Sequence, residues 1–229
     1  MKLDLSKRYG EKIVLDGFRL EIEEGEITCL LGQSGCGKTT VLNCIAGILP
    51  FEGKIEGRPE EISYIFQRER LLPNLTVSEN LAYALSGRRL LDEKERIRRA
   101  LEAVELGAEA DSYPRTLSGG MAQRVSIARG FVYPSALLLM DEPFQGLDLA
   151  LKYRVLSQFL RVWRGDGRTT VFVTHSIDEA LLAASRIVLL SAHAEILDDF
   201  RIGSAQESRK LSGTETAKAR ERIFSKLGI

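Results

Sequence analysis

The chain has 229 residues, and its 32 Lys+Arg balance 32 Asp+Glu to a formal net charge of zero. With 44% hydrophobic and 28% charged residues it can bury a substantial core, which excludes disorder over most of its length. Zero net charge argues against a chain built chiefly to grip phosphate backbones, so no nucleic-acid partner is expected.

The longest uncharged run, positions 39–51, holds 13 residues including Gly47 and Pro50. A membrane span needs about 20 mostly apolar residues, so none is expected. The first ten residues, MKLDLSKRYG, carry charges every few positions and lack the apolar stretch of a secretory signal. Cys29, Cys36 and Cys44 show no CxxC spacing and read as free thiols of a reducing cytosol.

In chain order, alternation and charge predict strands at Leu3–Lys7 and Phe18–Glu23, the second ending in a turn at Glu23-Glu24-Gly25. The run Ile27–Leu31 (ITCLL) is continuously apolar, as in a strand buried on both faces. Ile62–Phe66, Leu137–Met140, Val171–Thr174 and Ile187–Leu190 have the same character. Helical patterns lie between them. Thr76 and Glu79 have capping-box spacing ahead of Leu81, Ala82 and Leu85. Ile97, Leu101 and Val104 recur at helical spacing, with Gly107 as the expected C-cap. A stripe of Leu151, Val155, Leu156, Phe159, Leu160 and Trp163 follows Asp148. Strands alternating with helices imply an α/β fold with a mostly parallel core sheet. Positions 73–130 are mainly helical and read as an inserted helical subdomain.

Gly32, Gln33, Ser34, Gly35, Cys36, Gly37, Lys38 and Thr39 match G-x-x-x-x-G-K-[ST], between a predicted strand and the helical run Thr40–Ala46. The glycines let backbone N–H groups curl around a phosphate, and the helix N-terminus adds partial positive charge. Lys38 would bridge the β- and γ-phosphates of a nucleotide, and the Thr39 hydroxyl would ligate Mg²⁺. Thr40 closes the candidate set. The plainer alternative is a tight glycine turn, and Cys36 reads as a small neutral filler.

The strand at 137–140 ends in Asp141 and Glu142. The first acid suits a Mg²⁺ ligand and the second a base that orients water; standing alone, they would read as a solvated acidic turn. The strand at 171–174 ends in His175, which alone would read as structural, as does His193.

Leu117-Ser-Gly-Gly-Met121 decides between these readings. The order of phosphate loop, LSGGM, LLLMDEP and strand-end histidine resembles the ATP-binding subunit of ABC transporters, over about positions 2–193. That resemblance implies a P-loop NTPase fold with a small antiparallel β-subdomain, and ATP and Mg²⁺ as ligands. It makes Tyr9 the aromatic that stacks on adenine, Gln67 the glutamine that senses Mg²⁺ and γ-phosphate, Asp148 the D-loop aspartate and His175 the switch histidine. Ser118, Gly119 and Gly120 would reach the nucleotide of a second cassette in a head-to-tail pair, a homodimer or two different cassettes. Tyr9 could instead be surface packing, Gln67 a strand end and Asp148 an N-cap.

Two departures stand out. Gln145-Gly146 occupies positions where the family usually has Ser-Ala or Gly-Ala, and the short stretch from Lys38 to Gln67 implies a trimmed β-subdomain. The tract from Phe66 to Asn80 and the Met of LSGGM are most similar to the nitrate/sulfonate/taurine import branch. This implies a transmembrane permease, an extracytoplasmic solute-binding protein, and a place on the cytoplasmic face of the membrane. An export or lipid-extraction cassette is the alternative. A non-transport ABC ATPase of repair or translation would need heptad insertions or a second cassette, which the sequence lacks. The expected organisation is a cassette at 1–204 and a short helical tail at 205–229. In that tail Ile223, Phe224 and Leu227 share a side with Lys218, Arg220, Arg222 and Lys226 around them, which suits capping the core; membrane contact is the alternative.

Overall fold

The computed structural model describes residues 1–88, 90–206 and 209–228. Its first two strands follow from alternation. In β1 (Lys2–Tyr9) Leu3 and Leu5 are buried, and in β2 (Lys12–Glu21) Leu15, Phe18 and Leu20 are buried. They pair antiparallel, with Leu3 opposite Leu20 and Leu5 opposite Phe18, and β1 also pairs with β4 (Glu52–Glu56). The result is the expected small antiparallel sheet, in the order β2-β1-β4. β2 begins at Lys12 rather than Phe18, because its first half is held by pairing with β1 and not by apolar content.

The core sheet uses the continuous apolar runs. β3 (Ile27–Leu31) is buried at all five positions, as is β6 (Leu137–Asp141). With β5 (Ile62–Ile65), β7 (Thr169–Thr174), β8 (Arg186–Leu190) and β9 (Ile196–Arg201) they form a six-stranded sheet ordered β5-β6-β7-β3-β8-β9. The first five strands run parallel, and β9 closes the edge antiparallel to β8. Alternate residues face opposite sides. Ile27, Cys29 and Leu31 enter one apolar cluster, while Leu30 enters another shared with the antiparallel sheet and with α1 (Lys38–Ile45). Burial pushes the Cys29 thiol up, as it does Cys44.

The opposite face is covered by helices: α2 (Val77–Ala84), α3 (Glu93–Ala103), α4 (Gly119–Val132), α5 (Leu149–Asp166), α6 (Ile177–Ala183) and α7 (Thr214–Leu227). The capping box at Thr76 and Glu79 forms as expected. The C-cap expected at Gly107 does not. Glu105 takes the left-handed conformation (φ 57°), while Leu106 N–H donates to Leu101 O at 2.9 Å and Glu105 N–H to Glu102 O at 3.0 Å. This is a Schellman ending with Glu in the place where glycine is usual, sealed by the buried side chains of Leu101 and Leu106. Gly107 instead opens a short 3₁₀ turn. Where α4 crosses β5, a Cβ at Gly130 would stand 2.3 Å from Ile65 Cγ1, so only glycine allows this close approach.

Helix α7 lies on the core through buried Ile223, with Arg220 paired to Asp178 on α6 at 2.7 Å. Of the expected tail, Glu207, Ser208 and Ile229 lie outside the described residues. No described helix is long and apolar enough to cross a membrane.

Candidate active site

Parallel pairing puts the carboxyl ends of β3, β5, β6 and β7 on one rim, the edge where open α/β sheets bind ligands. The register is specific: Leu31 lies beside Thr174, Asp141 beside Val173 and Ile65 beside Met140. The next residues along each strand are Gly32, His175, Glu142 and, one further, Gln67. Gly32, Gln33, Ser34, Gln67, Glu142 and His175 accordingly line a single cleft of about 600 Å³, together with Gln145, Ile177 and Leu227.

The phosphate loop leads straight into α1. Gly37 sits at φ 109° with Val14 Cγ1 only 3.2 Å from where a Cβ would be, so a side chain there would be both strained and crowded. Lys38 is buried, and its Nζ donates to Gly32 O and Gln33 O at 2.8 Å each. The ammonium is thus held at the centre of the loop by the loop's own carbonyls. Cys36 is buried beneath it, 3.9 Å from Nζ.

At the end of β6, Thr39 Oγ1 donates to Asp141 Oδ1 at 2.9 Å. Burial pushes the Asp141 carboxyl above the usual carboxylate range, the Thr39 bond opposes this, and the neighbouring Glu142 adds to it. Two hard oxygen donors side by side, one a buried carboxylate with a second carboxylate adjacent, fit a Mg²⁺ ion. Among the described residues no cluster of three or more His, Cys, Asp or Glu could hold a metal. Mg²⁺ does not require one, since it binds through one or two protein oxygens, phosphates and water.

Glu142 is the strained member. It has φ 47°, a conformation non-glycine residues seldom adopt and one that tends to mark functional sites. Its backbone N–H donates to Val173 O at 3.0 Å, which ties it to β7. Its Oε1 lies 2.9 Å from His175 Nδ1, and Thr174 Oγ1 donates to Oε2 at 3.4 Å. Behind them Thr174 Oγ1 also reaches Glu179 Oε2 at 2.7 Å, and Glu179 pairs with Lys152 at 2.7 Å. Glu179 and Lys152 were not expected from the sequence. The Ser176-x-x-Glu179 spacing, which caps α6, was the signal available.

The remaining candidates lie apart from the cleft lining. Tyr9 is exposed, with Lys7 Nζ 5.2 Å above its ring. Asp148 caps α5, its carboxylate accepting from Leu151 N–H at 3.0 Å. Ser118 caps α4 in the same way, accepting from Met121 N–H at 3.2 Å, and both Ser118 and Gly119 are exposed. Gln123, one turn further along α4, donates to Pro143 O at 2.8 Å and so ties that helix to the Glu142 turn.

Residues 15–145 match the ABC transporter family. The chain belongs to that family. An aliphatic sulfonates import ATP-binding protein of Paraburkholderia xenovorans is 43% identical over 81% of this chain and 74% of its own length. A second, from Pseudomonas fluorescens, is 38% identical over 98% of this chain and 85% of its own. A dimeric post-hydrolysis structure of the ATP-binding cassette MJ0796, bound to ADP and Pi, superposes with a TM-score of 0.77 at 29% identity. It covers 89% of this chain and 99% of that one. The P-loop NTPase fold, ATP binding and ATPase class expected from the motifs are those of this family.

Proposed function

We propose that this chain is the ATP-hydrolysing subunit that powers an importer of a small anion or organic solute, working as a head-to-tail pair of cassettes. The observation that carries the mechanism is the convergence of phosphate loop, Gln67, Asp141, Glu142 and His175 on one rim.

In this reading the P-loop residues Gly32 to Thr40 hold the phosphates of ATP, Lys38 leaves its carbonyl partners for the β- and γ-phosphates, and Tyr9 stacks on the adenine. Thr39, Asp141 and Gln67 hold Mg²⁺, which when bound neutralises phosphate charge. Glu142 orients water and takes its proton. His175, hydrogen-bonded to Glu142, keeps that carboxylate aimed at the cleft and faces the γ-phosphate. Ser118, Gly119, Gly120 and Asp148 serve the nucleotide of the partner cassette, which accords with the exposure of Ser118, Gly119 and Asp148 and with the separation of all four from their own cleft. Positions 1–204 act as the cassette, with the helical stretch at about 73–130 as its subdomain, and 205–229 as a tail.

The subunit works at the cytoplasmic face of the membrane through a permease, which an extracytoplasmic binding protein loads. Support for import comes from relatives whose names are those of import subunits. These include the two sulfonate proteins and a probable sulfate/thiosulfate protein of Chlorella vulgaris, 41% identical over 89% of this chain. A groove of about 370 Å³ between β5 and the helical stretch, lined by Phe66, Arg70, Tyr83, Arg129 and Tyr133, offers the permease a partly aromatic seat. Co-purification with the neighbouring membrane subunit, and ATPase stimulation by it together with a loaded binding protein, tests the proposal. An exporter-type partner overturns the import reading.

A further inference from the structure

The turn that follows Glu142 carries a side chain with no role so far. Gln145 N–H donates to Glu142 O at 3.1 Å, so the residue rises directly from the turn of the candidate base. Its side chain lines the same cleft, and its Oε1 accepts from Gln67 Nε2 at 2.9 Å. This bond bridges the carboxyl ends of β5 and β6 across 78 positions of sequence. Gln67 sits in a loop that is otherwise anchored from behind, where Arg129 donates to Arg70 O and Glu69 O at 2.8 Å each. Arg129 fixes the loop's backbone, and Gln145 is what fixes the Gln67 amide.

A glutamine amide has one donor end and one acceptor end, and only the acceptor can face a cation. Left free, the amide turns about its last torsion, which is broad and roughly two-fold. With Nε2 committed to Gln145, the carbonyl Oε1 of Gln67 is directed away from Gln145 and has no hydrogen-bond partner among the described residues. We infer that Gln145 is a positioning residue that orients the Gln67 carbonyl toward Mg²⁺. The inference rests on Gln67 being a Mg²⁺-sensing residue, as proposed above. Groups that position a metal's ligands typically change metal affinity by about 10-fold or more when removed.

The test is the Mg²⁺ concentration needed for equilibrium binding of a fluorescent ATP analogue, measured on the full chain carrying Glu142→Gln so that turnover does not intrude. Gln145→Met keeps the length and removes the acceptor, and is expected to raise the Mg²⁺ midpoint about 10-fold with Mg²⁺-free nucleotide binding unchanged. Gln145→Glu retains an acceptor for Gln67 Nε2 and is expected to keep the midpoint at or below the parent's. On a Gln67→Ala background, Gln145→Met should add nothing. Gln145 is exposed, so these variants should fold, and matching melting temperatures would verify it. A Met variant with the parent's midpoint, or Met and Glu variants raised alike, overturns the inference. If Gln67→Ala leaves the midpoint unchanged, the Mg²⁺ reading of Gln67 fails and the inference with it. If Gln67→Ala raises it and Gln145→Met does not, the inference alone fails.

Discussion

The rim of the parallel sheet and the Leu117–Met121 loop contrast in how their polar groups are satisfied. At the rim, Lys38, Thr39, Asp141, Glu142, Thr174 and His175 all hold one another or the nearby backbone. At the loop, Ser118 makes its cap and presents an exposed helix start with no part of the cleft against it. A helix N-terminus is a ready anion site, and the loops leading into α1 and α4 differ in surroundings: the first lines the chain's own cleft, the second lies at the exposed surface. The contrast is between polar groups satisfied within the fold and a helix start left outward, where the proposed second cassette would bring its nucleotide.

The strongest way to break this contrast is at the rim. Glu142→Gln should lower ATP hydrolysis by about 10²–10⁴-fold while ATP still binds, measured by phosphate release and nucleotide binding. Normal turnover in that variant would remove Glu142 from its role. Lys38→Ala should next weaken ATP binding by about 100-fold, because several charge-assisted hydrogen bonds are lost together.

The loop side predicts a different kind of loss. Ser118→Arg should leave ATP binding by the isolated chain and its melting temperature nearly unchanged, yet abolish ATP-dependent pairing and hydrolysis. A loss of nucleotide affinity in the single chain would mean that the loop belongs to its own cleft.

The smallest effect concerns stability. Burial raises the Asp141 pKa in the folded chain, so ionised Asp141 costs stability, and that cost grows as pH rises above the unfolded carboxylate value of about 3.9. Asp141→Asn should therefore raise the nucleotide-free melting temperature at pH 7 by a few degrees. The gain should shrink as pH falls and vanish below about 3.9, where the parent becomes protonated in both states. The same variant should lose the added stability that Mg²⁺ gives the ATP-bound chain. Unchanged melting at pH 7 would show that the rim already neutralises Asp141.

The comparison also explains what the sequence made legible. The central parallel strands were visible because burial on both faces demands unbroken apolar runs, as in ITCLL and LLLM. β4 (EGKIE) and β9 (ILDDFR) carry charges at the rims of their sheets, and only pairing holds them as strands. Gly107 misled because Glu105 took the left-handed position two residues earlier, stabilised by hydrogen bonds and by the Leu101 and Leu106 burial. At the site, the phosphate-loop motif and the family resemblance named the rim residues, but the Gln67–Gln145 and Glu179–Lys152 contacts depend on which strand ends lie side by side. Gln145 was legible only as a departure from the family pattern.

The outward half of the site is tested most directly by the mass of the Glu142→Gln chain in solution with ATP and Mg²⁺, measured by light scattering. The chain should move from its 25.5 kDa to twice that mass. Adding Ser118→Arg should return it to the single-chain mass with ATP still bound. A chain that holds ATP at the single-chain mass, or a dimer indifferent to Ser118, would contradict the account.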